Sequence, residues 1–274
     1  MQTRNPILRR AGKEYAQEGY STGYSGGPGQ APPPASAQLA ARYGQPGPVG
    51  ASGAVMTLND VIVKSGILFG VLLVGAVIGW PLGPIALIAA LVAFVLAMVA
   101  TFKRKVSPAL IIFYAFFEGI FLGGISAVFQ SYGQASGYGN LVLTAVVATL
   151  VVVAVMLALY TTRVIEVTAR FQRILMVALI GYVGFALVSL VASLFGVGNG
   201  FGFFGMGIIG IILSVFVVVL AAFTLCMDFE MISQYVRAGV PENESWRMGF
   251  ALMVTIVWLY LEILRLLAIV SSNR

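Results

Sequence analysis

From residue 57 onward the chain is a succession of apolar runs separated by short polar intervals. The runs cover 61–80, 84–101, 108–128, 141–160, 174–195, 204–227 and 249–270. Each approaches the ~20 residues that a helix needs to cross a ~30 Å hydrocarbon core. In lipid the backbone finds no water, so each spanning segment must bond within itself and is helical. Isolated Gly and Ser residues inside the runs fit this reading, because small residues let membrane helices approach closely. The pattern predicts an all-α, polytopic membrane domain of seven helices over 57–274.

Residues 1–56 carry no such pattern. They hold seven of the eleven prolines, together with Tyr15, Tyr20, Tyr24 and Tyr43. The stretch GYSTGYSGGPGQAPPPASAQ has no apolar period. It cannot bury enough surface to offset its ordering entropy, which predicts a disordered tail. Such a tail solubilises the chain or offers tyrosine and proline motifs for docking. No apolar stretch follows Arg4, Arg9 and Arg10, so the segment does not read as a signal peptide.

Composition sharpens the class. The chain is 59% hydrophobic and only 9% charged, where a soluble domain carries about 25% charged residues. Histidine is absent, which removes imidazole bases and histidine-rich zinc sites. Cys226 is the one cysteine, so no internal disulfide forms. It reads as a small buried residue. No phosphate-binding glycine loop or dinucleotide fingerprint occurs. The sequence therefore predicts no enzyme, no resident cofactor and no nucleic-acid partner.

The net charge is +6, but its placement matters more. The tail carries Arg4, Arg9, Arg10, Lys13 and Arg42, and the loop near Trp80 carries no basic residue. Lys103, Arg104 and Lys105 follow, and the loop 129–140 again has none. Arg163, Arg170 and Arg173 come next, 196–203 is bare, and Arg237 and Arg247 lie in the last loop. Basic loops mark the cytoplasmic side. The alternation predicts a plasma-membrane protein with its N-terminus in the cytoplasm and its C-terminus outside. The connector RVIEVTARFQR is basic enough to touch anionic lipid.

Acidic residues are sparse inside the runs. Glu118 lies in FYAFFEGIFLGG, Asp228 in LCMDFEMI, and Glu262 in WLYLEILRLLA with Arg265 one turn on. An ionised group at the bilayer centre costs about 2.5–3.5 kcal/mol on the insertion scale. Acids in this setting face the bundle interior, where they pair with each other or are partly protonated, either as hydrogen-bonded packing residues or in a functional role. At 1.5 Å per residue, Glu118 sits ~15 Å above Pro108 and Glu262 ~20 Å above Gly249. These heights predict a shared mid-membrane layer for the two, with Asp228 lower and several Å away from Glu262 in height. Residues 229–238 extend helix six, ending at Gly239 and Pro241. Arg265 has two readings, a local i, i+3 pair with Glu262 or a reach across to Glu118 or Asp228. Gly119 and Gly123 form a GxxxG pattern suited to close helix contact. Trp80 and Trp246 suit an interfacial belt, and Trp258 lies deeper.

The seven-run pattern, FTLCMDFEMI, WLYLEILRLLA, the opening TRNPILRR and YAFFEGIFLGGIS resemble the transmembrane Bax inhibitor motif family. The likeness is greatest to its actinobacterial Bax inhibitor/YccA-like branch. The resemblance covers residues 1–10 and about 57–272. It implies a seven-helix bundle with the last helix central. It also implies a pH-sensitive calcium leak, or a modulator of membrane proteases or cell death. In channel members two acids on helices six and seven share a proton. The resemblance places these at Asp228, with Ile232 completing D-x-x-x-I, and at Glu262, where the family commonly has aspartate. Glu118 belongs to this branch rather than to the channel motif, and Arg265 is a candidate basic partner.

Two carboxylates within hydrogen-bond reach cannot both ionise cheaply, so they titrate as a unit. Protonated, they latch two helices; ionised, they repel and expose oxygens that suit calcium. Asp228 and Glu262 are thus candidate transient calcium contacts. Two alternatives stand beside the leak. One is a non-conducting regulator that binds a membrane protease or another membrane protein within the lipid bilayer. The other is a proton-coupled transporter using Glu118 and Glu262 as a relay.

Overall fold

The computed structural model describes residues 54–103, 107–135, 137, 139–200, 202–205 and 207–272. All but the last three residues of the expected tail lie outside the described residues. Among the described residues there is no strand, only an isolated bridge between Val55 and Pro241. The helices are α1 (Leu58–Gly79), α2 (Leu87–Phe102), α3 (Pro108–Ala135), α4 (Leu141–Thr161), α5 (Ala169–Leu194), α6 (Gly207–Arg237) and α7 (Ser245–Ser272). The boundaries agree with the apolar runs to within a few residues at most ends. Helices α3 and α6 run on beyond theirs, α6 as far as Arg237.

Six helical segments among the described residues are long and apolar enough to cross a membrane. The first of them, Leu58–Phe102, is a run of 45 residues that contains both α1 and α2. A straight helix of that length would reach roughly 68 Å, about twice the hydrocarbon core. The run is not straight. Gly83 leaves the helical region at φ 52° and ψ −129° within the turn Trp80–Ala86. A positive φ suits glycine because it has no Cβ. The chain then returns to the end it came from. Arg247 donates to the Lys103 carbonyl at 3.3 Å. Lys64, near the start of α1, pairs with Glu242 at 2.8 Å and donates to Ser245 at 2.7 Å. Lys64, Lys103, Arg237 and Arg247 thus mark one basic end of the bundle.

Local chemistry sets where α1 begins. The Asp60 backbone N–H donates to the Thr57 hydroxyl at 3.2 Å, and the Thr57 N–H donates to the Asp60 carboxylate at 2.8 Å. This capping box satisfies N–H groups that a helix start leaves open. Just before it, Met56 N–H donates to the Val240 carbonyl at 2.9 Å, and Glu242 N–H donates to Ala54 at 2.8 Å. Residues 54–56 are therefore tied to the segment that joins α6 to α7.

Two glycine pairs bring α1 and α3 backbone to backbone. A Cβ on Gly119 or Gly123 would fall on the carbonyls of Leu72 and Ala76. A Cβ on Gly75 or Gly79 would fall on those of Phe116 and Ile120. The contacts advance together along both chains, so α1 and α3 run parallel. The GxxxG pattern noted on α3 meets a second one, Gly75 and Gly79, on α1. At the centre stands α7, packed against α1, α3, α4 and α6. Met253 and Val257 join Leu68, Leu72, Tyr114 and Leu122 on one side. Leu259, Ile263 and Leu264 join Leu141, Ala145, Ala221 and Leu225 on the other.

Candidate functional site

The interior acids sit where α7 meets its neighbours, at two different heights. Parallel packing of α3 on α7 supplies a ruler. Tyr114 meets Phe250 edge-on at 5.0 Å between ring centroids. Further up, the Ser126 and Tyr260 hydroxyls are hydrogen-bonded at 2.6 Å. Glu118, one turn above Tyr114, is therefore level with about residue 254 of α7. Glu262 lies eight residues higher, ~12 Å along the axis. The shared layer expected for Glu118 and Glu262 does not form. The offset follows from where α7 begins: Ser245 is about level with Pro108 and lies four residues before the apolar run that starts at 249, so Glu262 stands ~6 Å higher than that run implies.

Asp228 is the acid that shares Glu118's level. It projects from α6 and is only 7% exposed. Its side-chain hydrogen-bonding partner is the Thr255 hydroxyl of α7. That hydroxyl donates to the Ala251 carbonyl at 3.2 Å. The Asp228 Oδ2 is buried with no hydrogen-bond partner among the described residues. On α1, the Ser65 hydroxyl, beside Gly249 of α7, is likewise buried and unpartnered. Glu118 is half-buried, and no hydrogen bond or ion pair reaches its side chain among the described residues.

Glu262 has the opposite environment. It is 4% exposed. Tyr182 of α5 donates to its Oε1 at 2.5 Å, and Trp258 Nε1 donates to the same oxygen at 3.1 Å. Arg265 closes an ion pair on Oε2. The Arg265 guanidinium also lies 3.6 Å from the Phe204 ring centroid, in the turn Gly202–Gly205 between α5 and α6. Of the two readings of Arg265, the local pair is the one formed. Tyr182 and Phe204 were not singled out in the sequence. No local pattern marks either, since their role depends on α5 and the α5–α6 turn folding against α7.

Asp228 and Glu262 are thus not partners in this conformation. Asp228 is level with Thr255, seven residues and ~10 Å below Glu262 on α7. A shared proton needs hydrogen-bond contact, and a shared calcium needs both within 2.3–2.6 Å of the ion. Neither is met across two helical turns. Among the described residues no three carboxylate or thiolate side chains come together to hold a metal.

A family model described as Bax inhibitor 1 like matches residues 5–272. The chain belongs to the Bax inhibitor 1-like family. No curated protein matches it. The acids on helices six and seven, Asp228 and Glu262, differ in their surroundings. Here the first is under-satisfied and the second is fully engaged. The family assignment and the apolar helices make the protein an integral, multi-pass membrane protein in contact with the lipid bilayer.

Proposed function

We propose that the protein spans the plasma membrane seven times, α1 and α2 each crossing once, with a cytoplasmic N-terminus and an external C-terminus. In this reading it is a pH-sensitive calcium leak, switched by the carboxylates of helices six and seven, and has no catalytic role. The observation that carries the proposal is the buried, unpartnered Oδ2 of Asp228. A desolvated carboxylate with an unpartnered oxygen is costly when ionised and tolerable when protonated. Protonation lets α6 rest against α7. Ionisation favours separation of the two and entry of water or a hard cation to the free oxygens. Glu262, neutralised by Arg265, forms a second station nearer the opposite end. The two acids then act in series, each with its own helix partner, rather than through one shared proton.

The test is calcium flux into liposomes that hold the purified protein and an internal calcium dye, over a range of external pH. Wild type is expected to pass calcium with a pH-dependent rate, and Asp228→Asn to lose that dependence. Glu262→Gln is expected to raise basal flux by weakening the Arg265 pair. If Asp228→Asn and Glu262→Gln both keep the wild-type pH profile, the carboxylate switch is wrong. Absence of flux at every pH from folded protein rejects the leak and favours a regulator that binds a membrane partner.

A further inference from the structure

A polar cavity of about 430 Å³ opens at the basic end, between the α4–α5 connection and the last turns of α6. Its lining includes Tyr160, Arg163, Glu166, Glu230, Ser233 and Arg237. Glu230 is held in place: Tyr160 donates to its Oε2 at 2.9 Å and Gln234 to its Oε1 at 3.0 Å. Arg163, Arg237 and Glu166 form no salt bridge or side-chain hydrogen bond among the described residues. The cavity therefore presents two uncommitted guanidinium groups beside two carboxylates.

The backbone at Arg163 is the second observation. Thr162 caps α4. Arg163 N–H then donates to the Tyr160 carbonyl at 3.1 Å, and Val164 N–H to the Leu159 carbonyl at 3.0 Å. These are the two bonds of a Schellman motif. Arg163 occupies its left-handed position at φ 57°, the one positive-φ residue other than glycine among those described. Glycine is the default there, because a Cβ in this conformation meets the backbone. An arginine held against that preference implies that its side chain is used. The next residue, Val164, is exposed and apolar, as is Leu157 in the last turns of α4. The cavity mouth thus lies where the apolar belt of the bundle gives way to polar residues.

The charges select the ligand. Guanidinium groups match phosphate oxygens as planar forks. A purely anionic ligand would bring like charge against Glu166 and Glu230. A ligand carrying both a phosphate and a primary ammonium satisfies both pairs. We propose that this cavity binds an amino-phosphate ester, the phosphoethanolamine headgroup of a membrane lipid, with Arg163 and Arg237 on the phosphate and Glu166 and Glu230 on the ammonium. Free phosphoethanolamine has the same chemistry, and the position at the edge of the apolar belt favours the lipid. The proposal does not depend on calcium conduction.

The full chain in phosphatidylcholine nanodiscs, with and without phosphatidylethanolamine or phosphatidylglycerol, tests this by thermal unfolding. A ligand that binds only the folded state raises the midpoint in proportion to its occupancy. Phosphatidylethanolamine is expected to raise the wild-type midpoint more than phosphatidylglycerol does. Arg163→Gly is expected to melt higher than wild type in phosphatidylcholine alone, yet to need about tenfold more phosphatidylethanolamine for the same shift. Arg237→Gln is expected to lose the lipid response without the gain in stability. Glu166→Gln is expected to narrow the preference over phosphatidylcholine, whose quaternary ammonium has no N–H to donate. An Arg163→Gly variant with undiminished lipid response overturns the site, and an equal response to phosphatidylglycerol overturns the zwitterionic assignment. Soluble phosphoethanolamine that matches the lipid's effect at equal concentration overturns the lipid source.

Discussion

Glu262 and Asp228 are both buried acids, yet their neighbours give them opposite characters. Glu262 has an arginine, a phenol and an indole N–H around it. Removing one partner of a buried ion pair costs about 3–5 kcal/mol, because the other charge is left uncompensated. Arg265→Met is therefore expected to lower stability by that order, and Arg265→Met with Glu262→Gln to recover most of it. Thermal unfolding in detergent, read as a double-mutant cycle, checks this; equal costs for the single and double variants would contradict the pairing. Asp228 has no such protection. Asp228→Asn exchanges an under-satisfied carboxylate for a neutral amide, and is expected to leave the melting temperature unchanged or raise it. A loss of several kcal/mol would mean that the carboxylate makes a structural contact.

At the scale of elements, the α1–α3 seam depends on four glycines whose missing side chains let carbonyl oxygens pass. Gly123→Ala is expected to cost about 1–3 kcal/mol, since a methyl group there meets the Ala76 backbone, which cannot rotate away. Gly66, on the same α1 helix, has open space around its Cβ position. Gly66→Ala is expected to be neutral or to stabilise by up to about 1 kcal/mol through helix propensity. Paired melting curves separate packing from propensity, and equal effects would show that the seam is not close-packed. The seam was half legible. Gly119 and Gly123 show in the sequence as small residues one turn apart, but such spacing is common. Only the facing Gly75 and Gly79 show that it is used.

For the whole molecule, the basic end and the parallel run of α1, α3 and α7 define a topology that labelling can test. Gly139 lies in the α3–α4 connection and Ala238 just beyond α6, and both are exposed. The native Cys226 is buried, so introduced thiols report with little background. Gly139→Cys is expected to react with an impermeant maleimide on intact cells, and Ala238→Cys only after permeabilisation. The reverse result would invert the proposed orientation, and labelling of both from outside would break the alternation. The central position of α7, implied by the family likeness, makes it the element through which any movement of α6 reaches α1, α3 and α4.

The sequence by itself determined the class, the helices and the family. Each of these rests on local or additive properties: runs of apolar residues, Gly239 and Pro241 as terminators, and short strings around Asp228 and Glu262. The tertiary structure alone decided the heights and partners of the acids. The helices are apolar on nearly every face, so the pattern carries little sign of which face is buried or how far one helix slides against the next. That register is set by contacts between residues distant in the chain: Gly119 on Leu72, Tyr114 on Phe250, and Tyr182 on Glu262. A slide of two turns leaves the apolar pattern along each helix unchanged, but it decides whether two carboxylates touch. For the same reason the strained Arg163 and its cavity could not be read in advance. They exist only because the end of α4 is folded beside the end of α6.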